Sequence, residues 1–417
     1  MQLSKTPFLI QMWVGKDLPI EHIIVKDKPN NINKLINIYF KRWLIHPIRR
    51  KIARYYLMFL RRFFGTIVIG ITGSAGKTTT KEMVKAILSQ KGDTVASIKN
   101  IDPIYNIPQS ILRCGLKTKY LVLEMGVEFV GEMDFYIWLA KPDISLITNI
   151  FPTHTQFFGD KNGVFKEKIK IISYLDKESY AILNSQDKLL SNAKEHTKAR
   201  ILYFGGGTEI SAENVVFGEK STKYTLHLDK SNISVQLPLI GPHFVSNSLA
   251  AATVAKILNV PNNLVGIGLE SFEKPPHRMN GFYTKKGAYV LDDSYNNNPE
   301  AAIETLKTFD RIARGRKKIV VFGDMLELGE LEEKYHKNLG NILSSYKLNL
   351  LIGVGEASRV LTEEAKKKMD NDKCIWVKNN KGVYDIITKA IDKDTAILIK
   401  GSRALKLEAV VDRLKNI

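Results

Sequence analysis

The stretch Ile67-Val68-Ile69-Gly70-Ile71-Thr72-Gly73-Ser74-Ala75-Gly76-Lys77-Thr78-Thr79-Thr80-Lys81-Glu82-Met83 restricts what this chain can become more than any other. An apolar, β-branched run enters a glycine turn, and a helix-compatible segment leaves it. That is the layout of a phosphate-binding loop. Glycine lets backbone N–H groups wrap an anion, and the helix N-terminus adds a favourable dipole. On this reading Gly73, Ser74, Ala75, Gly76 and Thr79 surround the phosphates of ATP. Lys77 reaches the β/γ-phosphates, and the Thr78 hydroxyl sits on Mg2+. The competing reading is a strand–helix turn without a ligand, which Gly-Lys-Thr at the mouth of a helix disfavours. Ile71 occupies the place where the usual spacing has its first glycine, so the loop is a shorter Gly73-x-x-Gly76-Lys77-Thr78 form.

Beyond the loop, apolar runs at 119–124, 144–149 and 180–184 alternate with helical patterns. Their continuous apolar character suits buried parallel strands in an α/β sheet with helices on both faces. At 417 residues, two or three domains are expected. Cys114 and Cys374 lie far apart and belong to no Cys-x-x-Cys pair, so a reducing compartment is expected and a disulfide framework or zinc site is not. No secretory signal is recognised, and no run approaches the roughly 18 apolar residues that span a bilayer.

The net charge of +19 favours anionic partners, and part of it is concentrated. Residues 41–64 hold eight cations and no acid. Ile48, Ile52, Tyr55, Tyr56, Phe59, Leu60 and Phe63 recur there at helical spacing, with Arg50, Arg54 and Arg61 roughly opposite. One reading packs the apolar stripe on the next domain and leaves a solvated basic back. The other lays the helix in an anionic membrane interface, with Trp43 and the tyrosines near the headgroups. No motif supports nucleic-acid binding.

In such sheets ligands sit at the carboxyl ends of strands, so polar residues there matter individually. Glu124 ends one run in Glu124-Met125-Gly126. His154 follows another in Asn149-Ile150-Phe151-Pro152-Thr153-His154, and Lys168 lies in a lysine-rich patch. Taken singly, each is equally at home as a solvated or structural residue. Together with the loop they resemble the Mur ligases, ATP-dependent ligases of peptidoglycan precursor synthesis. The resemblance implies a central domain that binds ATP and two magnesium ions. It implies Thr78 and Glu124 on the first ion, His154 beside the metals, and a carbamylated Lys168 at the second. Lys77, His154 and Lys168 are then the catalytic set. The segment Asn100-Ile101-Asp102-Pro103-Ile104-Tyr105-Asn106-Ile107-Pro108 keeps the family's Asn100 and Pro108, and Asn100 is expected at the acceptor substrate. Asp102-Pro103 replaces a pair of asparagines, and Lys170 stands where a glutamate is common.

Further motifs extend the resemblance over roughly 66–417. In Gly241-Pro242-His243-Phe244-Val245-Ser246-Asn247, His243 and Asn247 match an adenine-side motif. Pro275-Pro276-His277-Arg278-Met279 matches a linker motif with His277 in place of glycine, and it implies Arg278 on ATP. Asp292-Asp293-Ser294-Tyr295-Asn296-Asn297-Asn298-Pro299 implies Asp293, Tyr295 and Asn296 at the nucleotide and Asn298 at substrate. Gly323-Asp324-Met325-Leu326-Glu327-Leu328-Gly329 and Lys400-Gly401-Ser402-Arg403 follow, the latter offering Ser402 and Arg403 to the incoming amino component.

The expected fold is therefore a P-loop central domain with a parallel sheet (66–280) and a C-terminal Rossmann-like domain (281–417). A short basic helical segment (1–65) precedes them. The resemblance implies a cytoplasmic enzyme, at the inner membrane face if the basic segment binds lipid. It would join D-alanyl-D-alanine to a UDP-N-acetylmuramoyl-tripeptide through an acyl phosphate. The family's usual N-terminal uridine-binding domain has no counterpart in 1–65, so the UDP-sugar is expected on the remaining domains, a partner or the membrane. Two alternatives stand: a Mur-like ligase for another carboxylate, and a membrane-associated ATP-binding protein without turnover.

Overall fold

The computed structural model describes residues 8–16, 18–25, 31–98 and 101–417. Two six-stranded sheets and a small antiparallel sheet organise it. In the first, the strand order is Thr94–Ala96, Tyr120–Glu124, Ile67–Thr72, Ile144–Ile147, Tyr180–Asn184, Arg200–Phe204, and every pairing is parallel. The strand Ile67–Thr72 is central and almost wholly buried, which is why its residues are apolar without alternation. The second sheet runs Asn280–Tyr283, Tyr289–Asp293, Thr395–Lys400, Lys317–Gly323, Leu350–Val354, Cys374–Val377. Its first strand pairs antiparallel and the rest are parallel. The fold is thus α/β with a parallel nucleotide-type sheet and a second Rossmann-like sheet.

After residue 210 the chain forms one three-stranded antiparallel sheet, Ile210–Phe217, Thr222–Leu228 and Ser231–Leu237. Helix Lys77–Ser89 leaves the loop and packs between helices Pro242–Ile257 and Asn262–Ser271. Strand Thr94–Ala96, at the sheet edge, has only three residues and shows no periodicity in sequence.

The N-terminal segment corrects the sequence reading of its orientation. His46–Phe64 is a helix that docks on the first lobe, but its buried residues are Pro47, Arg50, Ala53, Leu57 and Leu60. Of the expected stripe, Ile48, Ile52, Tyr55, Phe59 and Phe63 are exposed, and only Leu60 is fully buried. The arginine side faces inward. Arg50 donates to Val14 O at 3.0 Å, Arg54 to Trp138 O, and Arg61 to Lys141 O at 2.6 Å. Helix Glu132–Leu139 ends at this contact, where its last carbonyls lack intrahelical partners and attract cations. Guanidinium groups satisfy those carbonyls better than aliphatic side chains can, and this decides which side docks.

Candidate active site

The loop Gly73–Gly76 hangs between the ends of Ile67–Thr72 and Ile144–Ile147. Gly73 has φ +144°, and a Cβ there would lie 1.9 Å from Thr148 Oγ1. Gly76 has φ +82°, and its Cβ would lie 2.4 Å from Asn247 Oδ1. Both glycines are required by conformation and by space. The next strand end holds the loop's shape: Ala75 N–H donates to Asn149 Oδ1 (2.8 Å), Ser74 N–H to Asn149 O (3.0 Å), and Thr148 Oγ1 to Ala75 O (2.6 Å). The Ser74 hydroxyl donates to Phe151 O at 2.9 Å.

At the helix mouth, Lys77 Nζ donates to Gly73 O at 3.0 Å. Burial lowers its pKa, nearby Glu124 raises it, and Arg278 lowers it further. Thr78 Oγ1 donates to Glu124 Oε1 at 3.1 Å, so parallel pairing of the two strands brings this hydroxyl and carboxylate together. Thr79 is buried, its hydroxyl without a partner among the described residues. Lys168, at the end of helix Lys161–Lys168, is 1 % exposed. Burial drives its pKa well below the ordinary lysine value, and the Lys77 charge adds to the effect. No ion pair joins Lys168 to a carboxylate among the described residues. Lys170, by contrast, pairs with Asp134 (2.6 Å) and Glu167 (2.7 Å), and Glu167 in turn accepts from Gly131 and Met133 N–H.

His154 adopts φ +54° and brings its Nδ1 to 2.6 Å from Oε2 of Glu327 in the second lobe. The adjacent Thr155 hydroxyl donates to Leu328 O at 3.1 Å. The Gly323–Gly329 segment therefore meets the loop after Ile144–Ile147 across the cleft. Sequence reasoning placed both motifs but missed this contact between them.

His243 and Asn247 start helix Pro242–Ile257 beside Gly76. His243 Nδ1 and Asn247 Nδ2 are buried without a partner among the described residues, and burial holds the His243 pKa at about 4. Phe244, where the family pattern has asparagine, goes into the core. From the hinge, Arg278 lies 4.7 Å over the Tyr295 ring and acts electrostatically on Lys77 and His243. Asp293 Oδ2 accepts from buried Lys400 Nζ (2.7 Å) and Thr305 Oγ1 (2.8 Å). Lys400 also donates to Asn296 O at 3.0 Å. Lys400 is the second residue that sequence reasoning left out, although its motif had been noted.

The acceptor-side residues are more dispersed. Asn298 caps helix Pro299–Ile312 by accepting from Ala301 N–H at 2.8 Å. Ser402 is buried with an unpartnered hydroxyl, and Arg403 is exposed in the following turn. Asn100 lies outside the described residues. Beside it, Asp102-Pro103 supplies the N-cap and first turn of helix Pro103–Leu112, which gives that substitution a structural role. Among the described residues no group of three or more His, Cys, Asp and Glu side chains forms a ready metal cage.

Two family models match the chain: the Mur ligase middle domain over 71–255 and the Mur ligase glutamate ligase domain over 277–403. Among curated relatives, the UDP-N-acetylmuramoyl-tripeptide–D-alanyl-D-alanine ligase of Buchnera aphidicola is 32% identical over 353 residues. That alignment covers 83% of this chain and 75% of the relative. The Bacillus subtilis protein of the same description is 31% identical over 88% of this chain and 78% of its own length. Among solved structures, MurF from Acinetobacter baumannii superposes with a TM-score of 0.81 at 26% identity, covering 89% of this chain and 80% of that one. MurF from Thermotoga maritima in complex with ADP gives 0.80 at 24% identity, covering 94% and 93%, a likeness of fold.

Proposed function

This chain belongs to the Mur ligase family, and from that premise we propose how its own residues carry the reaction. It is an ATP-dependent ligase that joins D-alanyl-D-alanine to UDP-N-acetylmuramoyl-tripeptide, releasing ADP and phosphate. The acceptor carboxylate takes the γ-phosphoryl group, the amine of the dipeptide attacks the acyl phosphate, and phosphate departs as the amide forms. All three substrates are small and water-soluble, so we assign the reaction to the cytoplasm.

One observation carries the residue assignments: Lys77, the Thr78–Glu124 contact and the buried amine of Lys168 converge on one side of the phosphate loop. Backbone N–H groups at the helix mouth, 76–79, hold the phosphates, while those of Ser74 and Ala75 stay committed to Asn149 and keep the loop in shape, and Lys77 exchanges its Gly73 carbonyl for the transferring group. The unpartnered nitrogens of His243 and Asn247 offer the nucleotide hydrogen bonds, as buried polar atoms require. Arg278 and Tyr295 approach from the hinge, and the Asp293–Lys400 pair sets the wall they stand on. Closing the lobes excludes water from the acyl phosphate.

Thr78 and Glu124 fit a magnesium ion, which takes oxygen ligands from one or two side chains and completes its shell with phosphate and water. When bound, the ion offsets charge that accumulates on the transferring phosphoryl group. A second ion would need His154 and an anionic Lys168. The neutral amine favoured by burial adds to carbon dioxide, forming an N–C bond and releasing one proton, and leaves a carboxylate-like carbamate. The buried, unpartnered hydroxyl of Ser402 and the exposed Arg403 beside it are assigned to the incoming amino component. We place the functional boundaries at 66–280 and 281–417.

Phosphate release by the purified chain tests the reading. It should require both UDP-N-acetylmuramoyl-tripeptide and D-alanyl-D-alanine, and Lys77→Ala should remove it. Turnover with another carboxylate alone would reassign the acceptor, and no turnover with any pair would leave a nucleotide-binding protein.

A further inference from the structure

The face of helix His46–Phe64 turned away from the protein is apolar over its whole length. Ile52 is 55 % exposed and Phe63 70 %, and Ile48, Tyr55 and Phe59 lie between or beside them on the same face. Phe59 contacts Phe63 and Phe64 with ring centroids 5.1 and 5.6 Å apart, so the exposed aromatics form one contiguous patch. The preceding helix Ile32–Phe40 and the π-helical segment Lys41–Ile45 extend it, with Ile32, Ile36, Phe40 and Trp43 exposed. Apolar residues scattered singly on a surface need no explanation, whereas a continuous patch marks an interaction site.

The charges identify the partner. Residues 31–65 contain nine lysines and arginines and no acid. Arg50, Arg54 and Arg61 are directed inward and anchor the helix. Lys34, Lys41 and Arg62 remain exposed at the patch border, without an ion pair among the described residues. A second copy of this chain facing the patch would set cations against cations with nothing to offset them. An acidic, apolar-cored surface would match it. Among the described residues no helix is long and apolar enough to cross a membrane. An amphipathic helix in the plane of the interface has this composition: aromatics and aliphatics at the acyl boundary, cations at the headgroups.

We propose that the protein docks on anionic lipid bilayers through the exposed face of 32–64, lying on the surface without spanning it. The inward arginines make this attachment rigid. Only Gly65 and Thr66 separate the helix from the strand that delivers the phosphate loop, so docking fixes how the catalytic cleft faces the membrane. The inference is independent of which carboxylate the ligase accepts.

The test is sedimentation of the full chain with phosphatidylcholine vesicles, with and without about 30 % phosphatidylglycerol. Binding should require the anionic lipid and weaken with salt. Ile52→Glu/Phe59→Glu should reduce partitioning by at least about ten-fold. Lys41→Ala and Arg62→Ala should each reduce it by about five-fold. All four side chains are exposed or border the patch, so the thermal midpoint should hold, and phosphate release should match the parent protein. A parent chain that stays in the supernatant overturns the proposal. So does binding that ignores these substitutions. Loss of a dimer on Ile52→Glu/Phe59→Glu, without vesicle binding by the parent, would instead assign the patch to a second copy. Because phosphate release is read on the same preparation, failure to bind lipid is distinct from failure of the ligase reading.

Discussion

Two sets of buried and half-buried cations lie in the first lobe, and they are held in different ways. At the cleft, Lys168 is buried without a carboxylate partner, and Lys77 has only the Gly73 carbonyl. On the far side, Arg50 donates to Val14 O at the end of helix Phe8–Val14, and Arg54 and Arg61 donate to carbonyls around the end of helix Glu132–Leu139, Arg61 also pairing with Asp143. A lysine so placed yields its proton, whereas a guanidinium keeps its charge and distributes several donors. Burial lowers Arg50 only to about 10, still cationic at neutral pH, while Lys168 falls far below its ordinary value. The first set is poised for a ligand that has yet to arrive. The second is already satisfied and anchors a helix.

The comparison breaks most visibly through Lys168. Lys168→Ala should lower ligase turnover by roughly 10²–10³-fold, the scale of losing one electrostatic contact to the transition state. Nucleotide affinity should change little, while the thermal midpoint should fall, because truncating a fully buried side chain leaves a cavity. If the residue acts as a carbamate, acetate or propionate should restore part of the rate by entering the vacated space as an anion. A rate lost without any rescue by these acids would remove the carbamate from the account and leave Lys168 as a packing residue.

How much of this was legible depends on how local the cause is. The phosphate loop could be read because Gly73 and Gly76 are demanded by positive φ angles and by contacts with Thr148 and Asn247. The carboxyl-end rule singled out Glu124, the family resemblance then set it beside Thr78, and the contact is present in the structure. Lys168 and Arg278 needed the family resemblance, since nothing in a lysine-rich patch reveals which lysine is buried. Glu327 against His154 was not legible at all, because it depends on how two lobes meet. The docking helix shows a different limit. Periodicity established a stripe and its opposite, but the choice of buried side came from carbonyls 80 or more residues away. Asn298 was assigned to substrate by resemblance, and its Asn-Pro position at a helix start also accounts for the cap seen in the structure.

A smaller effect sharpens the orientation of that helix. Leu57, outside the expected stripe, is 2 % exposed in the first lobe's core, whereas Ile52, inside it, faces solvent. Leu57→Ala should cost about 2–4 kcal/mol, the range for truncating a buried leucine. Ile52→Ala should cost under about 0.5 kcal/mol, as for an ordinary surface change. Chemical denaturation of the two variants in vesicle-free buffer measures both. The reverse order would return the helix to the orientation its sequence suggested.

The smallest expected effect concerns the hinge, where a third cation differs from both sets by titrating. His277 holds a left-handed backbone, φ +57°, at the place the family's linker pattern gives to glycine. Its Nδ1 lies 2.8 Å from Asp292 Oδ2, a compensation glycine could not offer. The bond to Asp292 raises the His277 pKa, partial burial opposes it, Asp292 and Asp412 add to the rise, and Lys415 opposes it. A histidine whose folded pKa exceeds its unfolded value of about 6.5 stabilises fully below that value and loses the contribution as pH rises through the folded one. The site is partly open to solvent, so screening holds the effect to a few tenths of a kcal/mol. His277→Gly relieves about 1 kcal/mol of backbone strain and removes the pair. The variant should therefore gain on the parent protein in thermal midpoint as pH rises from about 6 to about 8.5. A difference that stays constant across that range would mean the imidazole is neutral throughout and serves the hinge through shape alone.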